Sequence, residues 1–503
     1  MDASEPRADR EPLADRVPRA VGLAPQATPP VGRVVMFVMN TVTHDSRVIR
    51  EATTLRAAGW RVTIVGRLPA APTDILASEE HEGVSIVRVP QPTGWRDEWR
   101  LRMTLLRYPW RARGDVVAGL RGDVRRGARG GPAIIGRLIG LVVALPWLGY
   151  RLVDRYALGD RLPTPRRDGA VEWLMWWRRT ATGWAAAAAA AAPEADVYHG
   201  HDLTGLAAAR RAERIHGGKV VYDSHEIFLA AGPTAGRPWW ARLIVDVMER
   251  RWARRADALI TVNDALAQYL GRRFGGRTFV VVHNCPPRWT ARPAADRLRA
   301  AAGLVPSDPV VLFHGRFARD RGIEQLAEAI LLPGLETAHL ALLGYGPLEP
   351  ALRELAAEAR FGGRVHLLDA VSPDDLLGWI ATADVDAIPI LPSTLNHRLS
   401  TPNKLFESIA AGVPVVVSDF PVMRHIVLDD PLGPLGAVCD PGSPASIATG
   451  LRGILELPEA ERARLRERCH DAAGARWNWE TESRALLTAY AALIARSDAS
   501  GGT

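Results

Sequence analysis

The sequence predicts an α/β protein of two doubly wound, Rossmann-like domains, each built on a parallel sheet. Short apolar runs of strand length alternate along the chain with segments of helical periodicity. Polar loops follow these runs, at the strand ends where open parallel sheets bind ligands. The chain has 503 residues, which is more than a single hydrophobic core normally serves. We therefore expect two domains that face a cleft.

The first domain is predicted over residues 33–288, after a Pro- and Arg-rich tail at 1–32 that we expect to be disordered. It begins with a strand at Arg33–Met39, a polar loop and a helix that ends at Gly59. A second strand at Arg61–Val65 completes the opening β–α–β unit. The alternation resumes near residue 195 with runs at 195–209, 219–228, 256–270 and 278–286.

The second domain is predicted over residues 289–475, after a Pro-rich connection. Residues 476–496 contain an apolar-periodic segment and are predicted to form a last helix. The strands of the second domain are predicted at 309–315, 340–346, 365–369, 385–390 and 413–419.

The number of cysteines and the distribution of charge limit the classes of protein to which the chain can belong. The three cysteines, Cys285, Cys439 and Cys469, are too few and too widely spaced for a disulfide framework or a zinc site, which favours a reducing cytosol. The net charge of +7 is concentrated between Trp95 and Trp184, where eighteen Arg face eight Asp or Glu. Eight of the sixteen Trp lie in the same segment. The basic balance therefore belongs to one segment of the chain.

This segment is predicted to be a helical insertion in the first domain, at 95–193. Interleaved Trp and Arg favour helices that lie in a bilayer interface, and the alternative is an insertion packed on the domain with solvated Arg side chains. Its most apolar stretch, 133–150, is interrupted by Arg137 and Pro146 and falls short of the roughly 20 apolar residues of a membrane span. The sequence thus predicts a cytoplasmic protein, with peripheral contact to the inner face of the cell membrane as the option that this segment raises.

The eight alanines at 185–192 predict a featureless helix or spacer that leads back to the first domain. No motif of nucleic-acid readout is present, so we do not expect nucleic acid as a partner.

A phosphate-binding loop is predicted at 315–322, GRFARDRG, directly after a strand. Gly315 would let the backbone approach a phosphate, and Arg316 and Arg321 would neutralise its charge. A solvated turn is the alternative, since Arg beside Gly is common.

Polar residues also follow two strands of the first domain. In HGHDLTG (199–205), His201 is placed to donate a hydrogen bond to a sugar hydroxyl or phosphate oxygen, while Asp202 has a structural alternative as a helix N-cap. Two histidines, His199 and His201, could bind a metal, but the sequence shows no third ligand, and we predict no metal site. In YDSHEIF (222–228), Asp223, His225 and Glu226 cluster at a strand end and could receive the proton of an acceptor hydroxyl.

Another polar segment, THDSRVIRE (43–51), begins the first helix, with Asp45 or Ser46 as its cap. Arg47 is predicted either to face the cleft or to be solvated.

The most informative stretch is STPNKLFESIAAGVPVVVSD (400–419), a polar loop, a helix with one acidic residue and a buried strand. Glu407 is the acidic residue of this helix, and taken alone it could be an ordinary surface Glu of an amphipathic helix. Lys404 and Lys219 are the only two lysines in the chain.

Taken in order, these motifs resemble the family 4 (group 1) retaining glycosyltransferases of GT-B fold, over residues 33–90 and 195–495. The 400–419 run is similar to a subgroup with a Pro-Asn-Lys-Leu-Phe-Glu motif. The resemblance implies that Glu407 binds the ribose of a nucleotide donor, and that Arg316 and Arg321 hold its diphosphate. It further implies that the last helix returns to the first domain. The donor-binding set implied is Gly315, Arg316, Arg321, Gly344, Asn403, Lys404 and Glu407.

The resemblance also implies roles on the first domain. His201 would touch the donor sugar and act with Arg316, Arg321 and Glu407 in catalysis. The acceptor side of the cleft would be formed by Asp45, Arg47, Asp202, His225 and Glu226.

Two departures from the family pattern are visible. Arg321 stands where the family has Lys, which preserves the charge and changes its geometry. Leu399 stands eight positions before Glu407, where many members carry a second Glu. The resemblance therefore does not identify the donor sugar.

The implied activity is sugar transfer from a nucleotide diphosphate sugar to an acceptor hydroxyl, with retention and without a cofactor. The acceptor would be lipid-linked or membrane-associated. A nucleotide-sugar epimerase or hydrolase and a non-catalytic membrane-associated scaffold are the alternatives. A dehydrogenase is disfavoured because no Gly-x-Gly-x-x-Gly follows the first strand. Asp384 and Asp386 resemble a metal-binding Asp-x-Asp pair but head a buried strand, and we interpret them as structural.

Overall fold

The computed structural model describes residues 30–43, 45–69, 74–91, 177, 179–231, 239–291 and 295–500. Residues 1–29 of the predicted tail lie outside these ranges. So does the predicted insertion up to residue 176, together with residue 178. The membrane interpretation of the insertion therefore falls almost entirely outside the described residues.

The first sheet has eight strands in the order β3-β4-β2-β1-β5-β6-β7-β8, and all neighbours are parallel except β3 and β4. Val34 of its central strand is paired with Val62 on one side and with Val197 on the other. The strands are β1 (Gly32–Phe37), β2 (Trp60–Leu68), β3 (Ser78–His81), β4 (Val84–Pro90), β5 (Val197–His201), β6 (Lys219–Ser224), β7 (Ala258–Thr261) and β8 (Val280–Val281). Its helices are α1 (Ser46–Ala57), α2 (Ala185–Ala191), α3 (Asp202–His216), α4 (Trp239–Ala253) and α5 (Asp264–Arg273).

The second sheet has six parallel strands in the order β11-β10-β9-β12-β13-β14. Its strands are β9 (Val310–Arg316), β10 (His339–Tyr345), β11 (Val365–Asp369), β12 (Val385–Ile388), β13 (Val415–Ser418) and β14 (Gly436–Cys439). The helices are α6 (Arg297–Ala302), α7 (Ile323–Ala329), α8 (Glu349–Ala356), α9 (Pro373–Ile380), α10 (Leu395–Leu399), α11 (Asn403–Ala410), α12 (Pro421–Leu428), α13 (Pro444–Leu455), α14 (Glu459–Ala475) and α15 (Trp479–Ser500).

The predicted fold class is confirmed, because both sheets are doubly wound and their central strands are buried on both faces. All four residues of β13 are buried, as expected for a parallel strand covered by helices on each side. The predicted strand at 365–369 has the observed bounds, and the strand predicted at 413–419 contains the shorter β13. β1 begins one residue before the predicted strand and ends at Phe37 rather than Met39.

The alanine run is a core element rather than a featureless spacer, so that prediction was wrong. α2 packs on α3, and Ala185, Ala188 and Ala189 are completely buried. Small side chains on both helices permit this close approach. Trp184, the residue before α2, is also completely buried, and Trp177 is 5% exposed. These two Trp residues of the predicted membrane segment lie in the core of the first domain and are not available to a bilayer.

The last helix, α15, packs against the first sheet. The Trp479 indole nitrogen donates to Thr54 Oγ1 at 2.8 Å, and the Tyr490 ring meets the Trp60 ring edge-on at 5.3 Å between centroids. The chain therefore crosses back to its first domain, as the resemblance implied. Among the described residues, no helix is long and apolar enough to span a membrane.

Candidate active site

The carboxyl ends of the two sheets face each other and are joined by hydrogen bonds across the cleft. The Asn263 amide donates to Leu399 O at 2.9 Å and to Thr401 Oγ1 at 3.0 Å. Ile227 N donates to Asn396 Oδ1 at 3.0 Å. Leu399, at the position of the missing family Glu, thus meets the first domain through its backbone, and its side chain packs with apolar residues there.

The glycine loop and the 400–419 motif, predicted separately, come together at the end of β9. Gly315 has φ +95°, a left-handed conformation that favours glycine. A Cβ at Gly315 would lie 3.0 Å from Lys404 Cε, so the lysine of α11 lies directly on the glycine loop. Gly344 of β10 is paired with Gly315, and a Cβ at Gly344 would be 1.9 Å from the Gly315 carbonyl oxygen. Only glycine fits at Gly344.

Two arginines flank this loop. Arg316 is exposed, and none of the ion pairs among the described residues involves it. The Arg321 side chain is 29% exposed and lies 3.9 Å from the Asp320 carboxylate, beyond good hydrogen-bonding distance. Asp320 is instead held by His397 Nε2 at 2.9 Å. Both guanidinium groups are therefore available to an anion.

Glu407 is held by a buried histidine. Its Oε2 lies 3.1 Å from His314 Nε2, and the other nitrogen of His314 lies 3.4 Å from Asp386 Oδ2. Burial opposes the charge on His314, but the adjacent Asp386 and Glu407 carboxylates outweigh it and raise its pKa to about 9. A protonated His314 donates from Nε2 to Glu407, while its Nδ1 lies near Asp386 without a hydrogen bond. Glu407 is 25% exposed, so its second oxygen remains open to a ligand.

Lys404 has an unusual environment for a cation. Its ammonium lies 3.5 Å from the centroid of the Phe313 ring. Burial lowers the pKa of Lys404 to about 7, although the Asp386 and Glu407 carboxylates act in the opposite direction. Arg321 adds to the lowering. Lys404 therefore changes charge near neutral pH and would be stabilised as a cation by a phosphate.

On the first domain, Arg47 is buried in an ion-pair cluster. It is 3% exposed, and its Nε donates to Asp223 Oδ2 at 3.0 Å while its Nη1 donates to Val282 O at 2.7 Å. Glu51 Oε1 lies 3.0 Å from the same Nε. The alternative of a solvated Arg47 was wrong, because α1 carries it toward the end of β6. Burial opposes the charge on Asp223, but Arg47 and His225 hold its pKa well below its usual range.

Three more predicted residues surround Asp223. His225 Nε2 lies 3.0 Å from Asp223 Oδ2, and His201 Nδ1 lies 3.5 Å from the same oxygen. Asp202 Oδ1 accepts from His225 N at 3.1 Å, so it caps the 223–226 loop and not its own helix; the N-cap interpretation of Asp202 was wrong. Asp202 adopts φ +53°, a strained conformation for a residue with a side chain.

These contacts set the charges of the imidazoles. Burial opposes the charge on His225, but Asp202 and Asp223 outweigh it and raise its pKa to about 10. Burial lowers the pKa of His201, so its ring is neutral at pH 7. Glu226 is half-buried, and burial together with the Asp202 charge raises its pKa to about 7. Neutral His201 and near-neutral Glu226 are the groups able to exchange protons in this loop.

Two further potential metal ligands, Glu51 and Asp223, lie beside the two histidines, which the sequence did not show. Glu51, His199, His201 and Asp223 place ligand atoms within 4.8 Å of one another, all buried. Arg47, however, lies within hydrogen-bonding distance of both carboxylates and already supplies the positive charge that a metal would bring. We therefore interpret the group as a charge cluster centred on Arg47.

The remaining predicted residues have clear positions. Asp45 caps α1, since its carboxylate accepts from Val48 N at 3.2 Å, as one of the two predicted caps. Asn403 Oδ1 accepts from the Asn284 amide at 2.8 Å. Asn284 in turn accepts from Arg50 Nη2 at 2.6 Å, so α1 is linked to α11.

Sequence reasoning missed several residues of the site. Glu51 stands four positions after Arg47, a helical ion-pair spacing that could have identified it. His314 precedes Gly315 at a strand end and could have been found in the same way as His201. Tyr490, whose hydroxyl lies 2.8 Å from His199 Nδ1, had no local signal because it comes from the last helix.

Each domain matches a glycosyltransferase family model. The model described as glycosyl transferases group 1 matches residues 308–456, and the model described as glycosyl transferase 4-like domain matches residues 142–285.

Similar proteins agree with these matches. A D-inositol 3-phosphate glycosyltransferase of Xylanimonas cellulosilytica is 32% identical over 50% of this chain and 60% of its own length. A GDP-mannose-dependent alpha-(1-6)-phosphatidylinositol dimannoside mannosyltransferase of Mycobacterium tuberculosis is 27% identical over 59% of this chain and 74% of its own. The chain thus spans about 60% of the first of these relatives.

Solved structures share the fold. A sucrose-phosphate synthase from Thermosynechococcus elongatus superposes with a TM-score of 0.62 at 18% identity, over 92% of this chain and 99% of that chain. Anabaena Alr3699/HepE in complex with UDP and glucose gives a TM-score of 0.57 at 13% identity, over 92% of this chain and 100% of that chain. The two sheets and their cleft therefore define the GT-B fold of glycosyltransferases. Residues 142–285 and 308–456 are thus similar to glycosyltransferase domains of these two family models.

Proposed function

We propose that the chain transfers a sugar from a nucleotide diphosphate sugar to an acceptor hydroxyl, with retention at the anomeric carbon. One observation carries the proposal: Lys404 and Glu407 of α11 converge on the Gly315 loop, beside Arg316 and Arg321. This arrangement offers a flexible glycine backbone, several cations and one open carboxylate at a single sheet edge. A nucleoside diphosphate needs such a set, with cations for the phosphates and a carboxylate for the ribose hydroxyls.

The donor would lie on the second domain. Arg316 and Arg321 would hold the diphosphate and neutralise the charge that develops when the bond from the anomeric carbon to the phosphate oxygen breaks. Lys404 would add a third cation, because a phosphate favours its protonated form. Glu407, kept in place by His314, would accept hydrogen bonds from the ribose. The cations would do the work of a metal, so no metal ion or other cofactor takes part in the proposal.

The sugar would face the first domain. Nδ1 of a neutral His201 can accept from the protonated His225 Nε2, which lies 3.3 Å away, so the Nε2–H of His201 is left to donate one hydrogen bond to a sugar hydroxyl. The acceptor oxygen would form the new bond to the anomeric carbon and release its proton. Glu226, with a pKa of about 7, would receive that proton from the acceptor.

We further propose a membrane-associated or lipid-linked acceptor, reached by a cytoplasmic protein bound peripherally to the inner face of the membrane. The names of the two curated relatives, which refer to inositol phosphate and phosphatidylinositol compounds, support an acceptor of this kind. The Trp- and Arg-rich composition of 95–184 supports peripheral contact. Neither the epimerase or hydrolase nor the scaffold is favoured by the comparisons.

Turnover of a panel of nucleotide sugars, with and without hydroxyl acceptors and with a chelator present, tests this proposal. We expect acceptor-dependent release of the nucleoside diphosphate that the chelator does not inhibit. Arg316→Ala should abolish transfer while the unfolding curve stays unchanged, because the side chain is exposed and touches no partner. Arg464→Ala, which removes an exposed Arg from α14, is the matched control and should retain activity. Transfer by Arg316→Ala at the wild-type rate would refute the diphosphate role.

A further inference from the structure

α4 presents an apolar stripe to solvent on the first domain. Five of the twelve large apolar side chains exposed among the described residues lie on this one helix. Four of them are spaced along one face, as i, i+3, i+4 and i+7. The five are Trp239 (76% exposed), Trp240 (39%), Leu243 (51%), Ile244 (48%) and Val247 (55%).

The opposite face of α4 is firmly packed, so the stripe does not result from a loosely attached helix. Val245, Glu249 and Ala253 are completely buried against the domain. The Glu249 carboxylate accepts from Tyr222 OH at 2.8 Å and lies 2.5 Å from Arg273 Nη2. The helix is therefore fixed with its apolar stripe outward.

A basic cluster continues the stripe at the carboxyl end of the helix. Arg251, Arg254 and Arg255 are exposed, and Arg277 donates to the carbonyl oxygens of Arg254 at 2.5 Å and of Ala256 at 2.7 Å. Among the described residues, none of these four arginines forms an ion pair with an acidic side chain. Asp246 of the helix is half-buried and is already paired with Arg250 and Arg273. The cluster therefore has an unneutralised positive charge.

We propose that this stripe and basic cluster form a binding surface for an anionic lipid bilayer. The Trp, Leu and Ile side chains would enter the interface, where Trp is favoured, and the guanidinium groups would contact lipid phosphates. A second copy of the chain fits less well. The stripe from Trp240 to Val247 is only about 10 Å long at the helical rise, and stable interfaces bury about 800 Å² per partner.

The surface is made only of described residues, and none of them belongs to the proposed catalytic site. It would place the first domain, and with it the acceptor side of the cleft, at the membrane.

Co-sedimentation of the full chain with vesicles tests the proposal. We expect binding to phosphatidylcholine vesicles that contain phosphatidylglycerol, weak binding to phosphatidylcholine alone, and weakening by salt. Leu243→Glu with Ile244→Glu should reduce binding to the anionic vesicles about tenfold or more. Val305→Glu with Leu432→Glu adds the same charges at exposed apolar positions of the second domain and should leave binding unchanged.

Arg251→Glu with Arg255→Glu, which leaves the apolar stripe intact, should weaken binding to the anionic vesicles alone. Unchanged binding in either helix variant would overturn the proposal, and so would equal wild-type binding to the two vesicle types. A dimeric mass in light scattering that Leu243→Glu with Ile244→Glu reduces to a monomer would assign the stripe to a second copy and also overturn it. Calorimetric binding of a nucleoside diphosphate should be the same in all variants, which separates this surface from the donor site.

Discussion

At the scale of single residues, Lys404 connects the glycine loop to the pH dependence of donor binding. Its pKa is lowered to about 7, with burial as the main cause, so the free protein at pH 8 holds Lys404 mostly neutral. A bound diphosphate would restore the charge and take up a proton. We therefore expect the affinity for a nucleoside diphosphate to fall as the pH rises through 7.

Titration calorimetry between pH 6 and pH 9 in buffers of different ionisation enthalpy measures this proton uptake. Lys404→Met should bind more weakly and lose that proton uptake, while wild-type protein retains it. Lys219→Met removes the only other lysine and is the control. The same proton uptake in Lys404→Met and wild type would exclude Lys404 from the diphosphate site.

Glu51 gives a second residue-scale prediction, on stability. Burial raises its pKa from 4.5 to about 8, so the folded protein keeps a proton there that the unfolded chain loses. The stability associated with Glu51 is thus fully present below pH 4.5 and is lost as the pH rises from 4.5 to about 8. Glu51→Gln, which mimics the protonated acid, should remove this part of the pH dependence.

Urea unfolding at several pH values measures this pH-dependent stability, with Glu80→Gln, an exposed Glu of β3, as the control.

The loss of stability in Asp223→Asn should be partly compensated by ionisation of Glu51, because both carboxylates contact Arg47. The double variant leaves Arg47 without a carboxylate and should lose about 3–5 kcal/mol. Equal losses in Asp223→Asn and the double variant would contradict the shared role.

At the scale of elements, α15 supports the first-domain site from a distance in sequence. Tyr490 is buried, and its hydroxyl lies within hydrogen-bonding distance of His199 Nδ1, at 2.8 Å. Tyr490→Phe leaves this nitrogen without its partner and should cost about 1–3 kcal/mol of unfolding free energy. Chemical denaturation measures the loss, and Tyr345→Phe, at a tyrosine that is 61% exposed, is the control. Equal stability of the two variants would show that α15 contributes no polar contact to the site.

The elements also show what the sequence could and could not predict. The strand β13 was predicted because it is a continuous apolar run, and β11 because three of its five residues are apolar. β3 was not, since its sequence SEEH is fully exposed and has no apolar run. The role of α2 was missed because a run of alanines shows no hydrophobic periodicity. The small alanine side chains are nevertheless what allows α2 to pack closely on α3.

The candidate site also contains some residues that could be predicted from the sequence and others that could not. The positions of Glu407, Arg316 and His201 at the edges of the two sheets could be predicted because each residue stands at a strand end or in a motif. The burial of Arg47 could not, because its partners Asp223 and Val282 lie far along the chain and meet it only after the sheet has formed.

At the scale of the whole molecule, the two sheets divide the proposed reaction between them. In the proposed reaction, the donor phosphates and ribose would bind the second domain, while the sugar and the acceptor would bind the first. Hydrogen bonds from Asn263 and Ile227 to the second domain bring the two sets together. A substitution in the site of one domain should therefore leave ligand binding by the other domain intact.

Calorimetric binding of nucleoside diphosphates to wild type, Arg321→Ala, Glu407→Gln and His201→Gln tests this division most directly. We predict about tenfold or greater loss of affinity in Arg321→Ala and in Glu407→Gln, because each loses a charged contact with the ligand. His201→Gln should bind the nucleoside diphosphate as wild type does and yet fail to transfer sugar. Binding that survives in Arg321→Ala and Glu407→Gln, or that is lost in His201→Gln, would contradict the account.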